Sequence, residues 1–100
     1  MSSMASTRRQ LIAEALRVAP LTAQDIARRF QVTVKTALDD LEHIRRGTRT
    51  GRFVMEPAEC LSCSFAFRDR TRLETPSRCP QCRNEQIREP EFRIVVSEGR

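Results

Sequence analysis

All four cysteines of the chain lie in one stretch, ECLSCSFAFRDRTRLETPSRCPQCRNEQ, as two C-x-x-C pairs, Cys60/Cys63 and Cys79/Cys82, with fifteen residues between them. Two such turns offer four soft thiolates as opposed claws, the donor set a tetrahedral zinc takes, provided the intervening chain folds back. Fifteen residues suffice for a hairpin-like excursion. Within it Phe65 and Phe67 alternate with Ala66 and Arg68 as a strand should, and Pro80 restricts the turn of the second claw. Other uses of paired thiols fit less well. A redox dithiol uses one C-x-x-C beside a βαβ unit, which is missing here, and a disulfide pair leaves the matched spacing unexplained. Four thiolates also hold a single iron that transfers electrons, so the chemistry is one ion per chain, zinc as the commoner occupant and iron as the alternative.

A closed set of four protein ligands leaves no position for a reactive water, which argues against a hydrolytic centre. His43 is the only histidine, seventeen residues before the first cysteine, and Gly47, Gly51 and Gly99 form no phosphate-cradling loop. The chain therefore reads as a non-enzyme without a small-molecule substrate. Metal binding energy of about 10 to 16 kcal/mol would instead fold a segment too small to have its own core.

Around that segment, the hydrophobic pattern predicts three helices. Thr7 and Gln10 form a capping box ahead of Leu11, Ile12, Ala15 and Leu16, in a helix running to about Val18 and stopped by Pro20. Thr22, with Asp25 in the first turn, opens a second helix with Ile26, Ala27 and Phe30 facing inward. Thr33 caps a third, whose Val34, Ala37, Leu38, Leu41 and Ile44 keep helical spacing to about Arg46. Three short helices with a tight turn between the last two outline a helix-turn-helix. Two strand-like runs follow, Phe53 to Met55 and Phe92 to Val96, one on each side of the cysteines. The expected fold class is α+β: a winged helix-turn-helix over residues 7–58 and 90–96, a zinc ribbon over 59–89 inserted between the two wing strands, a flexible N-terminus at 1–6 and a tail at 97–100. A helical domain followed by an independent ribbon is the simpler alternative.

Charge is placed unevenly. Residues 1–52 carry ten Lys or Arg against five Asp or Glu, while residues 53–100 carry eight of each. A zinc held by four thiolates would lower the formal +5 of the chain to about +3. Seventeen of the eighteen basic residues are Arg, whose planar fork suits phosphate or carboxylate. No apolar run approaches the roughly 20 residues that span a bilayer, and MSSMASTRRQ lacks the apolar middle of a secretory signal. The expectation is a cytoplasmic protein that does not engage membranes.

Several short matches in order, KTALDDLEHI, PAEC with the following FAF, PSRCPQC and IREPEF, make the chain resemble a family of predicted transcriptional regulators, known mainly from archaea, that join a winged helix-turn-helix to a rubredoxin-like zinc ribbon. The similarity runs from about Thr7 to Val96. It implies that Cys60, Cys63, Cys79 and Cys82 are zinc ligands and that Phe65, Phe67, Pro76, Pro80, Pro90 and Phe92 are structural supports. Ser64 departs from the Gly that such ribbons usually carry after the first claw; a left-handed serine there would cost roughly 1 kcal/mol.

On the outer face of the third helix, a 100° projection places Lys35, Thr36, Asp39, His43 and Arg46. With double-stranded DNA as partner, Lys35, Arg46, Arg49 and Arg52 would meet phosphates, Thr36 and His43 would lie near base edges, and Asp39 could accept from a cytosine amino group. Asp39, Asp40 and Glu42 would oppose phosphate approach. The alternative is a protein-interaction adaptor that docks on transcription machinery or another regulator through this face and the ribbon. Electron transfer by an iron-loaded ribbon and RNA binding are the remaining readings.

Overall fold

The computed structural model describes residues 4–47 and 51–96. Three helices come first: α1 (Met4–Val18), α2 (Ala23–Phe30) and α3 (Val34–Gly47). Helix α1 begins at Met4, so Thr7 lies inside its opening turn and is not the cap that its sequence context suggests. Helix α2 has the full capping box: Thr22 Oγ1 accepts from the Asp25 N–H at 3.0 Å and Asp25 Oδ2 accepts from the Thr22 N–H at 3.1 Å. It ends at Gln31, left-handed at φ 57°, with the Val32 N–H returning to the Ala27 carbonyl. Thr33 starts α3 by accepting the Thr36 N–H on its hydroxyl at 3.1 Å.

The remaining elements form two small antiparallel pairs. Strand β1 (Arg52–Glu56) pairs with β4 (Glu91–Val95), Phe53 opposite Ile94 and Met55 opposite Phe92. Between them in sequence, β2 (Glu59–Cys60) pairs with β3 (Ile87–Arg88). All four cysteines thus fall in the excursion that leaves β1 at Glu56 and returns at Glu91. The other edge of β4 is closed by Leu21, ahead of α2, whose N–H and carbonyl both bond to Phe92. Gly51, at φ +150°, admits the chain to β1: a Cβ there would lie 2.8 Å from both Ile94 Cγ2 and the Val95 oxygen.

Amphipathic faces of the helices meet the inner face of the β1–β4 pair. Ile12, Leu16, Ile26, Leu41 and Phe92 are fully buried there, with Phe53 stacked on Phe92 at a ring-centroid distance of 5.9 Å. Two features of this core were not expected. Leu73, from the middle of the cysteine excursion, joins the same cluster, and Arg45 of α3 donates to the Thr71 carbonyl at 2.9 Å. The ribbon is therefore seated on the helical half. The second feature is Asp40, the one buried charged residue among those described. Arg8 grips its carboxylate with Nε to Oδ2 at 2.6 Å and Nη2 to Oδ1 at 3.1 Å, and Arg9 Nε adds a bond at 2.8 Å, tying α1 to α3.

Candidate metal centre and the outer face of the third helix

The two claws are built alike. The Ser64 N–H returns to the Cys60 carbonyl at 3.0 Å and the Arg83 N–H to the Cys79 carbonyl at 2.9 Å; the Cys60 N–H bonds to the Phe65 oxygen, and the Cys79 N–H to the Asn84 oxygen. Each of these bonds has its counterpart nineteen residues on. The tight turn requires a left-handed residue just after each second cysteine, and Ser64 (φ 67°) and Arg83 (φ 64°) occupy those positions. The serine was foreseeable; its twin, Arg83, was not.

This backbone aims N–H groups at sulfur. Ser62 donates to Cys60 Sγ at 3.4 Å, and Gln81 and Cys82 donate to Cys79 Sγ at 3.3 and 3.5 Å. Such donors stabilise thiolate charge that would otherwise be buried without compensation. Cys60 and Cys79 are buried while Cys63 and Cys82 are exposed, giving each claw one inner and one outer sulfur. The Cys60 thiol is shifted down, chiefly by the Cys63 N–H. At Cys79 burial opposes ionisation, but the N–H groups of Cys82 and Gln81 and the Cys63 thiol outweigh it, bringing the pKa to about 7. At Cys63 the Phe65 N–H favours the thiolate, yet the three neighbouring thiols, with partial desolvation of a sulfur whose residue is otherwise exposed, prevail and push the pKa to about 12.

The four Sγ atoms all lie within 4.8 Å of one another, with Cys60 and Cys82 at 3.5 Å and Cys63 and Cys79 at 3.6 Å. A tetrahedron with metal–sulfur bonds of about 2.3 Å has sulfur–sulfur edges of about 3.8 Å, so the arrangement fits a single tetrathiolate ion. Behind it, Glu59 bridges to Ala66 and Phe67 donates to the Ala58 carbonyl at 3.0 Å, while Phe65 packs edge-on against Phe67 at 5.0 Å. These contacts make the first claw a short hairpin beside β3.

On α3, Lys35, Asp39, His43 and Arg46 are exposed, as is Arg52 at the start of β1. Thr36 is half-buried, and its hydroxyl accepts from Thr33 Oγ1 at 3.1 Å, so it belongs partly to the helix cap. Arg49 lies outside the described residues. Of the three carboxylates expected to oppose phosphate, two are committed elsewhere: Asp40 to Arg8 and Arg9, and Glu42 to Arg45 and, at 3.5 Å, Arg46. Asp40 is inward for a reason visible on the projection, where it falls about 40° from Ile44 and 60° from Ala37. On the flank toward the ribbon, Lys35, Leu38 and Asp39 face Thr71, Arg72 and Glu74 across a cleft of about 400 Å³.

Comparison with known proteins agrees with this division. Residues 7–54 match a family model described as PF0610-like, N-terminal, and residues 57–96 match the PF0610 rubredoxin-like zinc beta-ribbon domain. The first match ends within β1 and the second takes in β4, although the two strands pair. Among curated proteins, none matches the chain. The solution NMR structure of protein PF0610 from Pyrococcus furiosus is similar at 30% identity and a TM-score of 0.73, over 97% of this chain and 96% of that one. An alignment of nearly full length in both directions, with both domains in order, means that the chain belongs to the PF0610 family and carries its rubredoxin-like zinc ribbon.

Proposed function

We propose that the protein is a cytoplasmic transcriptional regulator that binds double-stranded DNA through α3, with a structural zinc, one per chain, held by Cys60, Cys63, Cys79 and Cys82. In this reading residues 7–58 and 90–96 form a winged helix-turn-helix, with α2 and α3 as the paired helices and β1 and β4 as the wing, and residues 59–89 form the ribbon. The observation that carries it is the outer face of α3. Lys35, Asp39 and His43 project there without serving the fold, after a three-residue turn from α2. Asp40 is neutralised inside the protein by Arg8 and Arg9, and Glu42 is paired at the surface with Arg45 and more loosely with Arg46, which leaves Asp39 as the one uncommitted carboxylate on that helix. Lys35, Arg46, Arg49 and Arg52 supply phosphate contacts; His43 and Asp39 are the side chains for base edges, and Thr36 reaches them only by leaving its cap bond. No helix among the described residues is long and apolar enough to cross a membrane.

Zinc is favoured over iron as the commoner occupant of a four-thiolate site, and in this reading it serves as a crosslink that gives the ribbon its structure. A second reading, an adaptor docking on transcription machinery, draws on the cleft between α3 and the ribbon, whose mixed Lys35, Asp39, Arg72 and Glu74 lining suits a polypeptide with both charges.

The deciding experiment is titration of zinc-loaded protein with genomic duplex fragments at several salt concentrations. DNA binding through this face requires affinity to fall by about 0.9 log unit per log unit of salt for each phosphate neutralised. Absence of binding even at low ionic strength would remove the regulator reading in favour of the adaptor. Asp39→Ala then separates the two further: it raises general duplex affinity if α3 lies against DNA and abolishes partner capture if α3 is a docking face.

A further inference from the structure

The ribbon carries a second concavity, remote from its sulfurs in use though built on the same loop. A cleft of about 390 Å³ is lined by Phe67, Pro76 and Pro80 together with Arg70, Arg72 and Arg78. Its lining holds three arginines against one acidic residue, Glu74. The hydroxyl residues Thr75 and Ser77 add neutral donors.

The three arginines are not equally occupied. Arg70 is held in place: its N–H bonds to the Phe67 oxygen at 3.3 Å and its Nη2 to the Glu74 carbonyl at 3.2 Å. Its Nε is nevertheless buried without an acceptor, the only such side-chain atom among the described residues. A buried donor left unpaired is costly, and an unpaired donor in a native fold calls for a missing acceptor. Arg72 and Arg78 have only exposed partners, Glu74 at 3.8 Å and Glu85 at 3.2 Å. Pairs of that kind are weak and exchange readily for a better anion.

We propose that this cleft is a phosphate-binding site, with Arg70 as the fixed contact at its base and Arg72 and Arg78 closing on the anion from the rim. An oxyanion in the cleft would bond to the outer edge of the Arg70 guanidinium, whose Nε reports on the same group, with Thr75 and Ser77 beside it in the lining. Glu74 sets the selectivity: it repels a weakly held anion and yields Arg72 to one that binds in a bidentate manner. The phosphate belongs either to a nucleic-acid backbone or to a free phosphate ester, and the site does not depend on α3 touching DNA.

The test uses the full zinc-loaded chain, isotopically labelled, titrated with inorganic phosphate and, as control, with chloride at equal ionic strength. The Arg70 Nε–H resonance and the Thr75 and Ser77 amides should shift saturably in phosphate and not in chloride. The double variant Arg72→Ala/Arg78→Ala should weaken that binding by about tenfold or more, and Glu74→Gln should tighten it by about threefold. Addition of duplex or single-stranded oligonucleotide then separates the sources. Displacement of phosphate assigns the site to a nucleic-acid backbone, and indifference to oligonucleotide assigns it to a free ester. No shift at Arg70, or a shift unchanged in the double variant or equal in chloride, overturns the proposal. Because Glu74→Gln removes no packed side chain, its response stays readable even if the double variant is poorly folded.

Discussion

The helical half and the cysteine excursion reach order by opposite routes. Up to Glu56, and again in β4, apolar side chains from three helices and a strand pair close on Ile12, Leu16, Ile26, Leu41 and Phe92. From Pro57 to Pro90 the buried apolar side chains are few, Ala58 and Leu73 beside two of the cysteines and two prolines, and each paired strand is two residues long. What the second region has instead is four sulfurs within bonding range of one point and a duplicated turn that aims N–H groups at them. One half spends many residues on a diffuse interaction, and the other concentrates the stabilisation in one ion. The two respond differently to damage: loss of one methylene group is graded, loss of a ligand is not.

The largest expected effect follows directly. Purified protein should hold one zinc per chain, and a strong chelator or any Cys→Ser change should remove a stabilisation of about 10 to 16 kcal/mol from the excursion. Heteronuclear spectra should then lose dispersion over 57–90 while far-ultraviolet circular dichroism keeps most of its helical signal. Full loss of the helical signal would show that the halves are one cooperative unit. Lowering the pH should act in the same direction, because each thiol that binds zinc releases its proton to solvent, and Cys63, pushed up to about 12 without metal, ionises only as the ion takes its thiolate.

A second way to break the comparison is the buried Asp40 carboxylate and the two part-exposed arginines that hold it. Arg8→Ala/Arg9→Ala strands a buried carboxylate and should cost about 3 to 5 kcal/mol in urea unfolding. Asp40→Ala should cost less, about 1 to 2 kcal/mol, because the arginine side chains, 23% and 30% exposed, can turn to water. Burial alone would raise the Asp40 pKa, but its bonds to Arg8 and Arg9 hold it below the ordinary carboxylate value. A depressed folded pKa means stability that is present above the unfolded value and lost as pH falls through the folded one. The gap between wild type and Asp40→Asn should accordingly be constant from pH 7 to 5 and narrow below about pH 4.

Leu73 tests the joint between the regions. Its side chain sits in the helical core although its backbone belongs to the excursion, so Leu73→Ala should cost about 2 to 4 kcal/mol while leaving zinc stoichiometry unchanged. Unfolding should then show the helical half destabilised by a residue that lies far from it in sequence. An unchanged midpoint would mean that Arg45 and the Thr71 carbonyl carry the docking alone.

How far these features can be read in the sequence depends on whether their cause is local. The metal centre is legible because ligand type and spacing are its cause, and α2 is legible because Thr22 and Asp25 satisfy each other within one turn. The pairing of β1 with β4 follows from two apolar runs that have no other partner nearby. The rest depends on tertiary context. Leu73 is a lone apolar residue among RDRTR and ETPSR, without periodicity to mark it as core. Asp40 stands at the edge of the apolar arc of α3, where composition says surface and angle says interior, and its partners are more than thirty residues away. Arg83 escapes notice because no glycine stands there to suggest a left-handed turn; only the duplication of the first claw reveals it.

That duplication yields the smallest expected effect and a test of the two claws against each other. Ser64 and Arg83 both occupy the left-handed region, at φ 67° and 64°, in turns with the same return bonds. A side chain there costs about 1 to 2 kcal/mol relative to an ordinary conformation, and glycine relieves this while giving back part of the gain as unfolded-state entropy. Ser64→Gly and Arg83→Gly should therefore each raise stability by about 0.5 to 1 kcal/mol, seen as a slower loss of zinc to a chelator. If the claws are equivalent, the two gains should be similar and should add in the double variant, since the substituted residues share no partner. A gain at Ser64 with a loss at Arg83 would mean that the arginine side chain contributes at the second claw something that the backbone symmetry does not reveal.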